Sequence, residues 1–372
     1  MRANNILGIL YSNSYDASLP ELTALRTMGS VPFGGRYRMI DFPLSNMVGS
    51  GIGKVGVITK TNYRSLMDHL ALGNPWDLSR KNEGMVLLPP FAEAGAGGNQ
   101  TRMEGLRGAS EFLRHSKEEY VIMSDCNVVC NLDYRALFRC HVQSGADLTI
   151  AFRRGPAPKL ETMRLSLDGG EYPRVTQIRL SGAAEADTAY SLNIFILRKS
   201  LLERLIQEAA GRGDADFERE VIRPRLQSLR VHGAEVTDYA RVIDSLQSYY
   251  DISMELLDPA SRQAFFHPGR PIFTKVQDDM PTIYGLGSSV RNCLVADGCQ
   301  IDGVAENCIL SRGVRIEKGA RARGCILMQG TYVGADTKLD CVITDKKVFL
   351  SSHKTLAGDP KFPVYLGKNI AI

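Results

Sequence analysis

The sequence predicts an α/β domain with a Rossmann-like, mostly parallel sheet, followed by a left-handed parallel β-helix. Two observations point there. Over the first two-thirds of the chain, short apolar strands alternate with amphipathic helices, the pattern of βαβ units. After about Pro259 helical periodicity stops, glycine and β-branched residues dominate, and a cysteine-marked repeat begins. A length of 372 residues accommodates both parts, each with its own core. The expected divisions are an α/β domain over 1–255, a linker over 256–280 and a β-helix over 281–372.

Strand-length apolar runs place strands at Asn5–Leu10, Val55–Thr59, Tyr120–Ser124, Asp147–Phe152 and Asn193–Leu197. Between them, apolar residues recurring on one face predict helices at Tyr63–Leu72, Gly105–His115, Tyr134–Ser144, Leu201–Ala210 and Phe217–Ser228. In such a sheet a ligand site belongs at the carboxyl ends of the strands. The later repeat reads Asn292-Cys-Leu-Val295, Asn307-Cys-Ile-Leu310, Gly324-Cys-Ile-Leu327 and Asp340-Cys-Val-Ile343, with cysteines 15, 17 and 16 residues apart. Stacked coils place equivalent side chains above one another, so the cysteines are expected to fill one inward slot as small apolar residues. A solenoid leaves an end and sides to be covered, which favours oligomers.

Composition narrows the function. Hydrophobic residues at 44% and charged residues at 23% are globular values. A net charge of +4 without a Lys/Arg block argues against nucleic acid and leaves phosphate-bearing small molecules open. The longest apolar runs, such as Ile6–Tyr11, are too short for a bilayer. The N-terminus lacks the basic and apolar regions of a secretory signal, so a cytoplasmic location is expected. None of the eight cysteines forms Cys-x-x-Cys, no histidine pair has zinc spacing, and the six histidines share no motif.

One stretch is distinctive: Val31-Pro-Phe-Gly-Gly-Arg-Tyr-Arg-Met-Ile-Asp-Phe-Pro-Leu-Ser-Asn46, continued by Gly49-Ser-Gly-Ile52. With Ser124-Asp125, the Tyr190–Leu197 strand, Tyr249-Tyr250 and Met254-Glu-Leu-Leu257, it resembles the ADP-glucose pyrophosphorylase (glucose-1-phosphate adenylyltransferase) family over essentially the whole chain. Within that family the chain looks most like the GlgD-type regulatory branch. The resemblance implies a nucleotidyltransferase domain before the β-helix. It also implies a hetero-oligomer, a tetramer by family resemblance, with a separate catalytic subunit that supplies the Mg²⁺ chemistry.

The departures from the family pattern carry the functional reading. A glycine-rich phosphate loop is expected after the first strand, yet no glycine falls between Gly8 and Gly29. Side chains there obstruct close backbone approach to phosphate. Met28 stands where the family has a lysine; losing one such electrostatic group commonly costs about 10²–10³ in rate. Leu88-Pro-Pro-Phe-Ala92 lacks the base-reading glutamines, and Gly105-Leu-Arg-Gly-Ala109 replaces Gly-Thr-Ala-Asp-Ala. No lysine lies between Lys159 and Lys199 to hold a sugar phosphate. Of two metal-binding carboxylates, Asp125 remains as a remnant, or as a structural cap, while Val242 occupies the second position, two residues before Asp244.

No catalytic residue is therefore assigned, and no cofactor is expected for this chain alone. Arg26 and Arg38 match positions near the family's site for phosphorylated activators, and Lys346 from the β-helix could complete it. The bland alternative is that these residues are solvated or paired with acids. Three functions stay open: a regulatory subunit, an adenylyltransferase with a rearranged site, and a stand-alone sugar-phosphate-binding protein.

Overall fold

The computed structural model describes residues 5–79, 83–90, 101–158, 162–180 and 188–372. Among them, no helix is long and apolar enough to cross a membrane. The central strands are β1 (Ile6–Tyr11), β2 (Lys54–Ile58), β3 (Gly84–Leu88), β4 (Tyr120–Asp125), β5 (Val128–Cys130), β6 (Leu148–Gly155), β7 (Arg164–Leu167), β8 (Val175–Arg179), β9 (Thr188–Arg198), β10 (Val231–Glu235) and β11 (Ala240–Val242). The large sheet runs β8-β7-β9-β4-β1-β2-β3, with β6 paired to β9 and β10 to β6. Strands β4, β1, β2 and β3 are mutually parallel, whereas β9 is antiparallel to both β4 and β6. The sheet is thus mixed, and Asp125 ends a strand of its parallel half. Tyr11 and Asp125 end neighbouring strands in register.

Helices cover the faces: α1 (Asp41–Gly49), α2 (Arg64–Leu70), α3 (Arg102–Gly108), α4 (Ser110–Arg114), α5 (Tyr134–Ser144), α6 (Lys199–Arg212), α7 (Leu246–Glu255) and α8 (Pro259–Phe265). The helix expected at Gly105–His115 is two short helices meeting at Ala109, and it starts earlier because Thr101 and Glu104 form a capping box. The helix expected at Phe217–Ser228 is instead a π-helical turn at Phe217–Ile222, followed by a tight turn at Arg223–Arg225. Pro224 lacks an N–H to continue a regular ladder. Helix α8 lies within the expected linker, with Phe265 buried in the core.

The frame around residues 31–46 is structural. Asp41 Oδ2 accepts from Arg38 N at 2.9 Å, and Asn46 binds Cys130 O and Leu132 N. Ser45 Oγ accepts from Trp76 Nε1 and Phe273 N. Gly35 has φ 82°, and a Cβ there would meet Leu310 O at 3.4 Å, so the hairpin tip lies against the β-helix.

Three five-stranded parallel sheets form the β-helix, beginning at Ile283–Tyr284. Its corners at Asn292, Asn307, Gly324 and Cys341 all take positive φ. This corrects the repeat. Pairing of Ile326 with Ile343 puts Val342, not Cys341, above Cys325 in the inward slot occupied by Cys308. Cys341 turns the corner instead and packs towards the domain interface. All eight cysteines are free thiols.

One β-helix face docks on the α/β domain. Ile309, Ile326 and Ile343, from successive coils, join Phe33, Phe42, Tyr249, Leu256 and Phe265 in one buried cluster. Tyr250 Oη donates to Gly324 O at 2.7 Å, and Tyr365 Oη to Glu21 O at 2.6 Å. At the corners beside this face, Gly330 N binds Arg312 O and Lys347 N binds Gln329 O, which stacks Arg312, Gln329 and Lys346 on three consecutive coils.

Candidate functional site

The segment after β1, where a phosphate loop is expected, is tied down by its own side chains. Asp16 accepts from Met28 N at 2.8 Å and from Asn13 Nδ2 at 2.6 Å. Asn13 Oδ1 accepts from Lys60 N at 2.7 Å, and Thr23 Oγ1 donates to Asp16 O at 2.6 Å. Within the segment, Ser12 N donates to Ile58 O, Ser18 N to Tyr15 O and Leu19 N to Asp16 O, so these backbone donors are used within the protein. Burial dominates the Asp16 carboxyl and pushes it up to about 6, against the pull of Asn13 and Met28 N. Tyr15 takes φ 65°, a left-handed conformation rare for a bulky residue, and Asn193 Nδ2 donates to its hydroxyl at 2.8 Å. Asn193 itself has φ 54°.

At the carboxyl end of β4, Asp125 is fully buried. Arg102 of α3 holds it with both terminal nitrogens, Nη1 to Oδ1 at 3.0 Å and Nη2 to Oδ2 at 2.7 Å. Ser14 Oγ adds a bond at 3.1 Å. Arg102 Nε lies 3.0 Å from Glu218 Oε1, and the guanidinium sits over the rings of Tyr11 at 4.5 Å and Phe195 at 5.5 Å. Burial disfavours the Arg102 charge, but Asp125 and Glu218 outweigh it and hold its pKa well above the ordinary value. Burial pushes the Glu218 carboxyl up, against the pull of Arg102.

The other sequence departures have structural destinations. Met28 is buried with Leu19, Leu22 and Val31. Arg107 Nη2 donates to Ala209 O and Asp214 O, closing the end of α6. Val242 pairs with Val128, and Asp244 accepts from Ser245 Oγ at 3.0 Å. Phe91, Ala92 and Lys159 lie outside the described residues. Among the described residues, no group of three or more His, Cys, Asp or Glu side chains is placed to hold a metal ion.

The cationic residues gather at the domain junction. Arg38 and Lys346 line a solvent-open cleft of about 410 Å³ together with Arg36, Arg312, His69 and the amides of Gln277 and Gln329. Arg38 Nη1 donates to Ser65 O and Ser65 Oγ. Burial lowers the Arg38 pKa to about 10. Lys346 falls further, to about 7, through burial and the charges of Arg38 and Arg26, against the pull of Asp345. Burial and Arg36 lower Arg312, and Asp279 at 3.7 Å opposes them. The cleft is therefore an environment of excess positive charge.

Arg26 is placed differently from the expectation that it offers its fork to a ligand. It is buried, and its Nη2 binds both Asp345 oxygens, at 2.8 and 2.7 Å. Asp345 also accepts from Lys346 N at 2.6 Å and Tyr365 Oη at 3.2 Å. Arg26 is therefore a strut between domains that orients the Lys346 corner.

Arg36 was legible, since it clusters with Arg26 and Arg38 around Gly34-Gly35, whereas sequence reasoning missed Arg102, Arg312 and His69. Arg312 precedes the corner glycine Gly313, as Gln329 precedes Gly330, so it carried a readable signal. His69, bound to Asp41 at 2.5 Å, and Arg102 carried none, because their partners are distant in sequence.

Comparison with known proteins agrees with both halves. A nucleotidyl transferase family model matches residues 18–162, and a GlmU-like C-terminal hexapeptide model matches residues 283–362. The glycogen biosynthesis protein GlgD of Bacillus subtilis is 35% identical over 99% of this chain and 97% of its own length. GlgD of Geobacillus stearothermophilus is 36% identical over 85% of this chain and 82% of its own. The glucose-1-phosphate adenylyltransferase of Fervidobacterium nodosum is 26% identical over 95% of this chain and 86% of its own. With a nucleotidyl transferase match before a hexapeptide match, and this similarity over most of the chain, the chain belongs to the ADP-glucose pyrophosphorylase (glucose-1-phosphate adenylyltransferase) family and is GlgD-like.

Proposed function

We propose that this chain is a regulatory, largely non-catalytic subunit in glycogen biosynthesis. It assembles with a catalytic glucose-1-phosphate adenylyltransferase subunit, which joins ATP and glucose 1-phosphate into ADP-glucose and diphosphate and brings the Mg²⁺. A heterotetramer is the expected form. The observation that carries this reading is the glycine-free loop at Asn13–Asp16, cross-linked by its own Asn13 and Asp16 side chains where a phosphate loop is expected, beside an intact fold. Similarity to the GlgD proteins supports it. The junction cleft is its effector site: Arg38 and Lys346, with Arg36 and Arg312, take the phosphate of a phosphorylated metabolite, while Arg26 supports them from behind. Effector binding biases the partner only if it favours one state of the assembly.

The test is to purify this chain alone, the catalytic subunit alone, and both together. ADP-glucose formation is then measured with and without phosphorylated metabolites. The chain alone is expected to be inactive, and the pair to differ from the catalytic subunit in rate or activation. Turnover by the pure chain near 10 s⁻¹, an ordinary enzyme rate, defeats the proposal, as does separate elution without kinetic effect.

A further inference from the structure

We propose that the Arg102 guanidinium is a built-in cation that takes the place of a divalent metal ion at Asp125 and ties together the elements around it. The family implies Mg²⁺ at this strand end, and the residues present do not fit it. Mg²⁺ asks for oxygen ligands near 2.1 Å in octahedral array, usually one or two carboxylates with waters and substrate phosphates. Here Asp125 already accepts two charged N–H groups and a hydroxyl, and the position of a second carboxylate is Val242. A metal ion would meet a fixed positive charge in the same place.

The arginine is fitted to this role on every side. Its three nitrogens are divided between two carboxylates, with Nη1 and Nη2 on Asp125 and Nε beside Glu218. Its flat faces are covered by Tyr11 and Phe195. Arginine suits such a position because the guanidinium keeps its charge when buried and its fork matches a carboxylate. The contacts join three adjacent strands of the sheet, β1, β4 and β9, to α3 and the Phe217–Ile222 turn. Separating these elements would break the buried pair and leave its charges unpaired. The inference stands apart from the regulatory reading, because its test uses this chain without partner or substrate.

The experiment titrates the intact chain with Mn²⁺, following bound metal by electron paramagnetic resonance and stability by thermal unfolding. Wild-type protein is expected to bind no Mn²⁺ at Asp125, and its midpoint should not move with the metal. Arg102→Ala leaves two facing carboxylates and a void. It should bind Mn²⁺ and rise in midpoint with metal concentration, as linkage requires. Adding Asp125→Asn should abolish both effects. Should Arg102→Ala fold poorly, Arg102→Met keeps the bulk without the charge. Its lowered midpoint should be largely restored in Arg102→Met/Asp125→Asn, where the stranded anion is gone. Wild-type binding of Mn²⁺ that disappears in Asp125→Asn overturns the inference. So does a folded Arg102→Ala protein that ignores Mn²⁺, or an Arg102→Met midpoint that Asp125→Asn leaves unimproved.

Discussion

Replacing Asp345 by asparagine tests how the two domains are held together. Both partners of the Arg26–Asp345 pair are almost fully buried, with side-chain exposures of 3% and 4%. The carboxylate also accepts from Lys346 N and Tyr365 Oη. Asparagine keeps one acceptor oxygen but strands the Arg26 charge in a dry interface. Breaking one side of a buried pair costs about 3–5 kcal/mol. Arg323–Asp340 supplies the control: its contact is the same 2.7 Å, but exposures of 70% and 38% place it in solvent. Exposed pairs are worth about 0–1 kcal/mol, so Asp340→Asn should be nearly silent. Urea unfolding of both variants measures the difference. The double variant Arg26→Met/Asp345→Asn should regain most of the loss, since no charge is left behind. Equal, small losses for Asp345→Asn and Asp340→Asn would refute the reasoning. So would a double variant with fully additive losses.

Two further expectations follow from the junction. Sulfate, which stays dianionic across this range and so does not itself titrate, should bind the Arg38–Lys346 cleft with a pH dependence set by Lys346, whose pKa is about 7. Lysine is charged below that value and neutral above it, and a bound anion raises its pKa. Affinity should therefore be greatest below pH 7 and fall as pH rises, by at most about tenfold per unit. Calorimetry at several pH values should show this slope in wild type and a flatter, weaker profile in Lys346→Met. Separately, Ile326→Ala removes a buried side chain from the interdomain cluster and should cost about 2–5 kcal/mol in thermal or urea unfolding; a loss near zero would mean that the face is not a packed interface.

What the sequence disclosed depended on how local the signal was. Helix α5, Tyr134–Ser144, is legible to the residue because Asp133 caps it and Gly145 takes a left-handed C-terminal position. Strand β9 extends five residues before Asn193, where the apolar run was read to begin, since Thr188–Ser191 pairs with the end of β6, a long-range contact no local pattern announces. The β-helix was legible as a repeat, but its register was not. Matching cysteine to cysteine misplaced Cys341, whereas the left-handed corner is the feature that recurs. At the cleft, the absence of glycine was plain, yet what replaced the ligand was hidden. Asp125 and Arg102 are brought together by tertiary folding alone. Arg26 shows the opposite case. Its residue type was informative, but only the fold reveals that Asp345 already occupies it.

The stacking of Arg312, Gln329 and Lys346 on consecutive coils makes the solenoid a ruler. Neighbouring coils in such a stack are about 4.8 Å apart, so each corner offers a side chain at a fixed height beside the α/β hairpin that carries Arg36 and Arg38. A whole coil inserted below Arg312 would leave every coil internally sound while lifting the cationic corners away from that hairpin. A substitution at one corner changes the chemistry presented at one height and disturbs little else. Ligand preference at the junction is thus editable in discrete steps, by swapping letters along a single column, while the length of the stack is constrained by the docking face beside it.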